Sequence, residues 1–428
     1  MGEMLEEPVK NLLPSLGTRR EYFDYLDRWI VGTVDDLRAH MTPRALVKAS
    51  LLETSRHNGS RDTIAALAST RQATTQIDDT LFRVRWRGES MDWALVEVDD
   101  ERYPVLYTAL ETKVASQRVD QLVHSSPLLD KAWFTAPLFR RLWKLILGAY
   151  PGQRFSKIVF EHESIFEVFK GDLLEVESDG KEEDEMEERQ DDEEEGEEEE
   201  VISPERRRAR MQITERIGKL DDALQKMRPE YEPLESIVSM RVPAPRRGGH
   251  DIYFDGRFTN RSDSITALRQ TIEVVKNIYR YSTEMAEDAS WPRAVDASST
   301  SPISLGMPIL IKFSQELDLD TFERWIASLR RKNNRFRLWG NPIRRGPGKV
   351  HIYAVDNHLW QPVDLEIARD HLYALLPSGT CGNTIHRLIA NTQRFIDPKL
   401  ETYIGDKKYE DFIDKAPVDA TSGGASDA

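Results

Sequence analysis

The chain has 428 residues, a formal net charge of −15 and a single cysteine, Cys381, so it is long enough for about two to three domains and cannot form an intrachain disulfide. Mean hydropathy is −0.56, and no run approaches the roughly 18 apolar residues that a membrane span needs. These features exclude a disulfide-stapled scaffold and a helical membrane protein, and they predict a cytoplasmic protein.

The charge is unevenly spread. Residues 181–200 hold 15 acidic and two basic side chains, a local net of −13, which leaves −2 for the rest of the chain. The folded parts are therefore nearly neutral, and local clustering sets the sign of any one surface.

In chain order, residues 1–18 read as a flexible N-terminus. Tyr22, Tyr25, Leu26 and Trp29 recur at helical spacing, and Pro43 suits the start of a second helix, so residues 19–73 predict three helices. The period then falls to two: Phe82, Val84 and Trp86 precede a turn and a second apolar run from Trp93, the pattern of a hairpin. An extended run over 103–114, a helix over 128–150 and a strand over 155–160 complete a unit spanning 19–170. Residues 171–209 read as an acidic disordered linker, because so few apolar groups cannot offset the entropy of ordering. A mainly helical segment over 210–296 follows, with a helix near 210–227, a strand over 250–254 and a helix over 264–286. That last helix lines up Ile265, Leu268, Ile272, Val275, Ile278 and Tyr279 on one face. The unit 305–412 mixes strands and helices, and the tail 413–428 reads as disordered. The predicted class is α+β: an N-terminal helical bundle joined to a mixed β-sheet unit, an acidic disordered insert, and a C-terminal α+β unit.

The strongest local signal lies at 324–353, where nine Lys and Arg residues, with no acid between, interleave with Trp325, Phe336, Trp339 and Tyr353. Arg330, Arg331, Lys332, Arg335, Arg337, Arg344, Arg345 and Lys349 could track phosphates, and an exposed Trp339 could stack on an unpaired base of DNA or RNA. The alternative is a solvated charged face over buried rings. The acidic tract reads either as a tethered mimic of nucleic acid or as a solubilising linker.

A second pattern is Asp92 followed by Glu111-Thr112-Lys113. This D…ExK spacing, in a context of helix, three strands, helix and strand, resembles the active site of the PD-(D/E)XK nuclease superfamily. The resemblance implies that Asp92 and Glu111 would hold Mg2+ and that Lys113 would assist the attacking water, with Glu111 and Lys113 on one face of a strand. The same region also permits a winged helix, with the hairpin as wing.

Weaker signals complete the inventory. Cys381 at a helix entry, five residues before His386, allows a nucleophilic pair with a lowered thiol pKa, or ordinary capping. His351, His358 and His371 with Asp356, Asp364 and Asp370 lack tight metal-ligand spacing. Trp133, Phe134, Phe139 and Trp143 could present a surface to a protein partner, or pack a core. The three functions expected are thus nucleic-acid binding, metal-dependent cleavage and a non-catalytic scaffold.

Overall fold

A computed structural model describes residues 16–39, 41, 43–56, 59–69, 73–86, 92–150, 154–163, 208–227, 236–245, 247–291, 294–295, 303–304, 307–330 and 334–415. Most of the acidic tract and the C-terminal tail, both expected to be disordered, lie outside the described residues. The class is α+β, built on two antiparallel sheets.

The larger sheet draws on both of the first two expected units. Its strands are β1 (Lys48–Glu53), β2 (Ala73–Gln76), β3 (Leu81–Arg85), β4 (Trp93–Glu97), β5 (Val105–Thr108), β6 (Asp130–Lys131), β7 (Phe155–Glu163), β8 (Arg208–Arg216), β9 (Ile237–Pro243), β10 (Gly249–Tyr253) and β11 (Arg257–Asn260). They run β2-β3-β4-β5-β1-β11-β10-β9-β7-β8, with β6 paired to β1 off this path. The segment after Thr42, expected to be a second helix, is instead the central strand β1. Every residue of β1 is buried, so it shows the continuous run of a strand covered on both faces, which periodicity cannot distinguish from a helix. The first part of the helix expected over 210–227 is instead within β8, paired residue for residue with β7 from Phe155↔Arg216 to Glu163↔Arg208, and helix begins at Ile217.

Helices α1 (Arg19–Arg38), α2 (Gly59–Ser69), α3 (Thr112–Ser125), α4 (Ala136–Ala149), α5 (Ile217–Met227) and α6 (Ile265–Ser290) belong to this part of the chain. Helix α6 buries the predicted stripe, and its N-cap Ser264 accepts a hydrogen bond from the Thr266 N–H at 3.1 Å. A smaller cluster on the other side packs Leu122 and Val123 of α3 and Leu67 of α2 against Phe82, Val84 and Val96. Gly256 closes the turn between β10 and β11 with φ of 77°, and a β-carbon there would lie 2.7 Å from the Ala132 carbonyl oxygen.

The short pair β12 (Ala294–Val295) and β13 (Ile303–Ser304) precedes the second sheet. That sheet comprises β14 (Ile309–Lys312), β15 (Leu338–Gly346), β16 (Lys349–Asp356), β17 (Gln361–Ala368), β18 (His371–Leu375), β19 (Glu401–Ile404) and β20 (Lys407–Lys408), ordered β15-β16-β17-β18-β14-β19-β20. Helices α7 (Leu319–Leu329), α8 (Asn383–Phe395) and α9 (Tyr409–Ile413) accompany it. One main core runs from Tyr22 to Ile413 through both sheets. Helix α8 lies inside it, buried along its length except at Arg394. Among the described residues, no helix is long and apolar enough to cross a membrane.

Candidate nucleic-acid interface

The second sheet is two-faced. On β16, Val350, Ile352 and Ala354 are buried, while His351 and Val355 are half-buried and Tyr353 is exposed. The inner face packs α7 through Phe322 and Trp325, and meets α8 where the Thr384 hydroxyl donates to Asp356. The outer face carries Trp339 at 56 % exposure, Tyr353 at 63 % and Tyr373 at 37 %.

Strand register places these rings. Trp339 is opposite Val355, Tyr353 is opposite Asp364, and Tyr373 is opposite Glu366. With strands about 4.8 Å apart and a rise of about 3.4 Å per residue, Trp339 and Tyr353 are separated by about 8 Å, and Tyr353 and Tyr373 by about 12 Å. The three rings therefore step diagonally across the sheet. Between them, His351 Nε2 meets Asp364 Oδ1 at 2.6 Å and Lys349 Nζ meets Glu366 Oε1 at 2.8 Å. These pairs lie between Tyr353 and Tyr373, whereas Val355 lies beside Trp339 and Tyr353, and Ile343 and Leu375 are also exposed on this face.

Most of the described cations of the basic stretch are buried, stacked on a ring or already paired. Arg337 is buried with φ of 52°, and its Nη1 donates to the Leu129 carbonyl oxygen at 2.9 Å and to Asp130 Oδ1 at 2.8 Å. Arg335 stacks over Phe395, 4.8 Å from the ring centroid. Arg344 forks onto Glu323 of α7 with two contacts of 2.5 Å, which holds the Glu323 carboxyl below its usual range. Lys349 is occupied with Glu366, as above. Arg330 and Arg345 are exposed, and Arg331 and Lys332 lie outside the described residues. The expected continuous basic surface is therefore divided, because alternation along the strands and the end of α7 send neighbouring cations in different directions.

The nuclease-like residues occupy other positions. The strand expected over 103–114 ends at Thr108, so Glu111 takes the N-cap position of α3 and Lys113 falls in its first turn, both exposed. The helical pattern of Ala115, Val119, Leu122 and Val123 claims this stretch and removes Glu111 and Lys113 from a shared strand face. Asp92 Oδ2 accepts from Arg118 Nε at 2.8 Å and from Arg118 Nη2 at 2.6 Å. The winged-helix elements α2 and β3–β4 are present, with the hairpin built into the large sheet. Trp133, Phe134, Phe139 and Trp143 are all buried, so they fill the core rather than a partner-facing surface.

Sequence reasoning missed a polar seam between the two sheets. Glu53 of β1, Glu287 of α6 and Cys381 bring potential ligand atoms within 4.8 Å of one another. Arg102 fills the space between them, with Nη2 2.7 Å from Glu53 Oε1 and Nη1 3.1 Å from Glu287 Oε2. A guanidinium thus stands where a cation would. The Cys381 thiol donates to Glu53 Oε1 at 3.1 Å, and burial together with that carboxylate pushes its pKa up, opposite to the lowered value expected at a helix entry. His386 faces elsewhere, between Thr283 Oγ1 at 3.0 Å and Tyr409 Oη at 2.6 Å, so the two do not form a nucleophilic pair.

A second buried cluster joins Arg387 of α8 to Asp130 and Asp356, with its Nε donating to the Phe336 carbonyl oxygen at 2.8 Å. Burial alone would raise the Asp130 pKa, yet Arg337 and Arg387 hold it far below the carboxylate range. His358 is buried beside this cluster, while His351 and His371 pair with Asp364 and Asp370 on the outer sheet.

Burial also depresses three histidines, His250 and His358 to about 4 and His386 to about 3. Unfolded, each takes a proton near 6.5, so between that pH and the folded value the unfolded chain binds more protons. Their stabilisation is complete above about pH 6.5 and is lost as pH falls toward 4. Glu53, raised by burial, acts in the opposite sense on acidification. We expect Tm to fall steadily between pH 7 and 4.5, and His250→Asn to flatten part of that fall. A flat melting profile across this range would refute the assignment.

The family described as MJECL33-like protein matches residues 13–412. The chain belongs to this family. A relative, the uncharacterized protein MJECL33 of Methanocaldococcus jannaschii, is 29 % identical over 164 residues, which cover 38 % of this chain and 38 % of that protein. The chain thus matches well under half the length of this relative. No solved structure matches. The MJECL33-like span runs from before α1 into α9, so the ringed sheet face and the polar seam both lie within it.

Proposed function

We propose that this protein binds single-stranded nucleic acid on the outer face of the second sheet, with unpaired bases stacked on Trp339, Tyr353 and Tyr373. The supporting observation is the exposure of Trp339 and Tyr353 by more than half on one open sheet face. Large rings are ordinarily buried, and a planar ring lying open beside strands is the platform on which unpaired bases stack. A cytoplasmic location goes with this reading.

Stacking is the main source of affinity here. Few cations lie near the face: Arg345 and Lys312 are exposed, with Lys312 opposite Glu401, whereas Lys349 and Arg344 are already paired. With about two phosphates neutralised, log affinity falls with log salt at a slope of about −1.4. Fluorescence anisotropy with labelled oligo-dT and oligo-U 12-mers at 50 and 200 mM salt tests this. The expected loss is under about tenfold, with weaker binding to a duplex of the same length, and the two oligomers distinguish DNA from RNA. Absence of binding, or equal binding to duplex with a steep salt slope, would overturn the proposal.

A further inference from the structure

The turn between β16 and β17 is unusual in its side chains. Its last two residues, Leu359 and Trp360, both have positive φ, 64° and 53°. Glycine, asparagine and aspartate normally take such positions in hairpins, because a β-carbon there crowds the following carbonyl oxygen. Bulky residues held in this region store strain, and strain of this kind gathers at sites where function retains it.

The surroundings hold the turn in place. The Leu359 N–H donates to the Pro127 carbonyl oxygen at 2.7 Å, the Asn357 N–H to the Arg337 carbonyl oxygen at 2.8 Å, and the His358 N–H to Asp356 Oδ1 at 2.8 Å. His358 is buried, which anchors the turn from below. Trp360, by contrast, is 62 % exposed. Fixing the backbone explains the first three residues but gives no reason for an indole at the fourth. The turn also lies at a telling place. Leu338 pairs with Asp356, and Asp356 pairs with Gln361, so Trp360 projects from the same end of the sheet as Trp339.

We infer that Trp360, in the turn between β16 and β17 at the end of the sheet that carries Trp339, is a further stacking position beside the Tyr373, Tyr353 and Trp339 line, for a strand of about four unpaired nucleotides. This rests on the single-strand reading above. The strained turn is what projects the indole outward, and its replacement by an ordinary Asn-Gly turn separates the backbone role from the ring's role.

The test uses the full chain with dT8 and U8 in anisotropy titrations, alongside thermal melts. Leu359→Asn/Trp360→Gly relieves the strain, so Tm is expected to rise by about 1–3 °C while octamer affinity falls about tenfold. Trp360→Phe keeps a ring and is expected to bind within about threefold of the unmodified protein. A merely structural Trp360 would give higher Tm with unchanged affinity in the Asn-Gly variant, and that outcome overturns the inference alone. If the unmodified protein binds neither octamer, the single-strand reading fails and the inference fails with it. Should the double variant melt early, Trp360→Ala supplies the affinity comparison.

Discussion

Trp339→Ala combined with Tyr353→Ala lowers affinity for an unpaired octamer by about 100-fold and leaves Tm within about 1 °C. Each stacked base contributes about 1–3 kcal/mol, so a single ring removes about tenfold and two remove about the square of that if they act independently. Their spacing of about 8 Å lies near the limit at which such effects add, so a modest shortfall is expected. Both side chains are more than half exposed and withdraw little apolar area from water, so deleting them leaves no cavity. Trp325→Ala serves as the contrast, because that ring is fully buried between α7 and the sheet and its loss destabilises the protein. Titration with dT8 and U8, with a melt of each variant, reads both quantities. Unchanged affinity in the double variant would end the stacking account.

Arg387→Met destabilises the protein by about 3–5 kcal/mol, the usual consequence of leaving buried charges without their partner. Arg387 is fully buried and bridges two carboxylates on different elements, Asp130 and Asp356, while its Nε satisfies the Phe336 carbonyl oxygen. Without it, Asp130 keeps Arg337, and Asp356 keeps the Thr384 hydroxyl and the His358 N–H. Lysine is a poor replacement, because one ammonium cannot reproduce a planar fork directed at three acceptors. Adding Asp130→Asn to Arg387→Met recovers part of the loss by removing one stranded charge. Urea titrations of the four proteins in this cycle measure the coupling. An Arg387→Lys protein with an unaltered midpoint would show that the cluster does not depend on the fork.

Much of the architecture was legible where one face of an element meets water. The alternation of β3, the stripe on α6 and the period of β16 all follow from half-burial. Elements covered on both sides were not legible in the same way: β1 lacks any period, and the polar sequence of α8 suggests a surface helix until its partners are known. Those partners are remote in the chain. Asn383 reaches the Lys131 carbonyl oxygen and Arg394 reaches Glu161.

The candidate interface was half legible. The window around Trp339 was the right neighbourhood, but a count of cations over 30 residues ignored strand direction, so it grouped Arg337 and Arg344 with residues on another side. Reading Lys349, His351 and Tyr353 against Val350, Ile352 and Ala354 as a period of two would have identified the open face, and would have led from Tyr353 to Tyr373. Trp360 carried no sequence signal, since its unusual feature is a backbone angle.

The position of α8 also bears on how the molecule assembles. The seam contacts of α8 and Cys381 just before it span 252 residues from Asn383 to Lys131, 257 from Arg387 to Asp130, and 328 from Cys381 to Glu53. Loops of that length close slowly, and Asp130 of the first sheet and Asp356 of the second both draw on Arg387 of the same late-sequence helix. During synthesis, Asp130 and Asp356 must therefore wait for Arg387 before this cluster is complete, which favours a late joining of the two sheets.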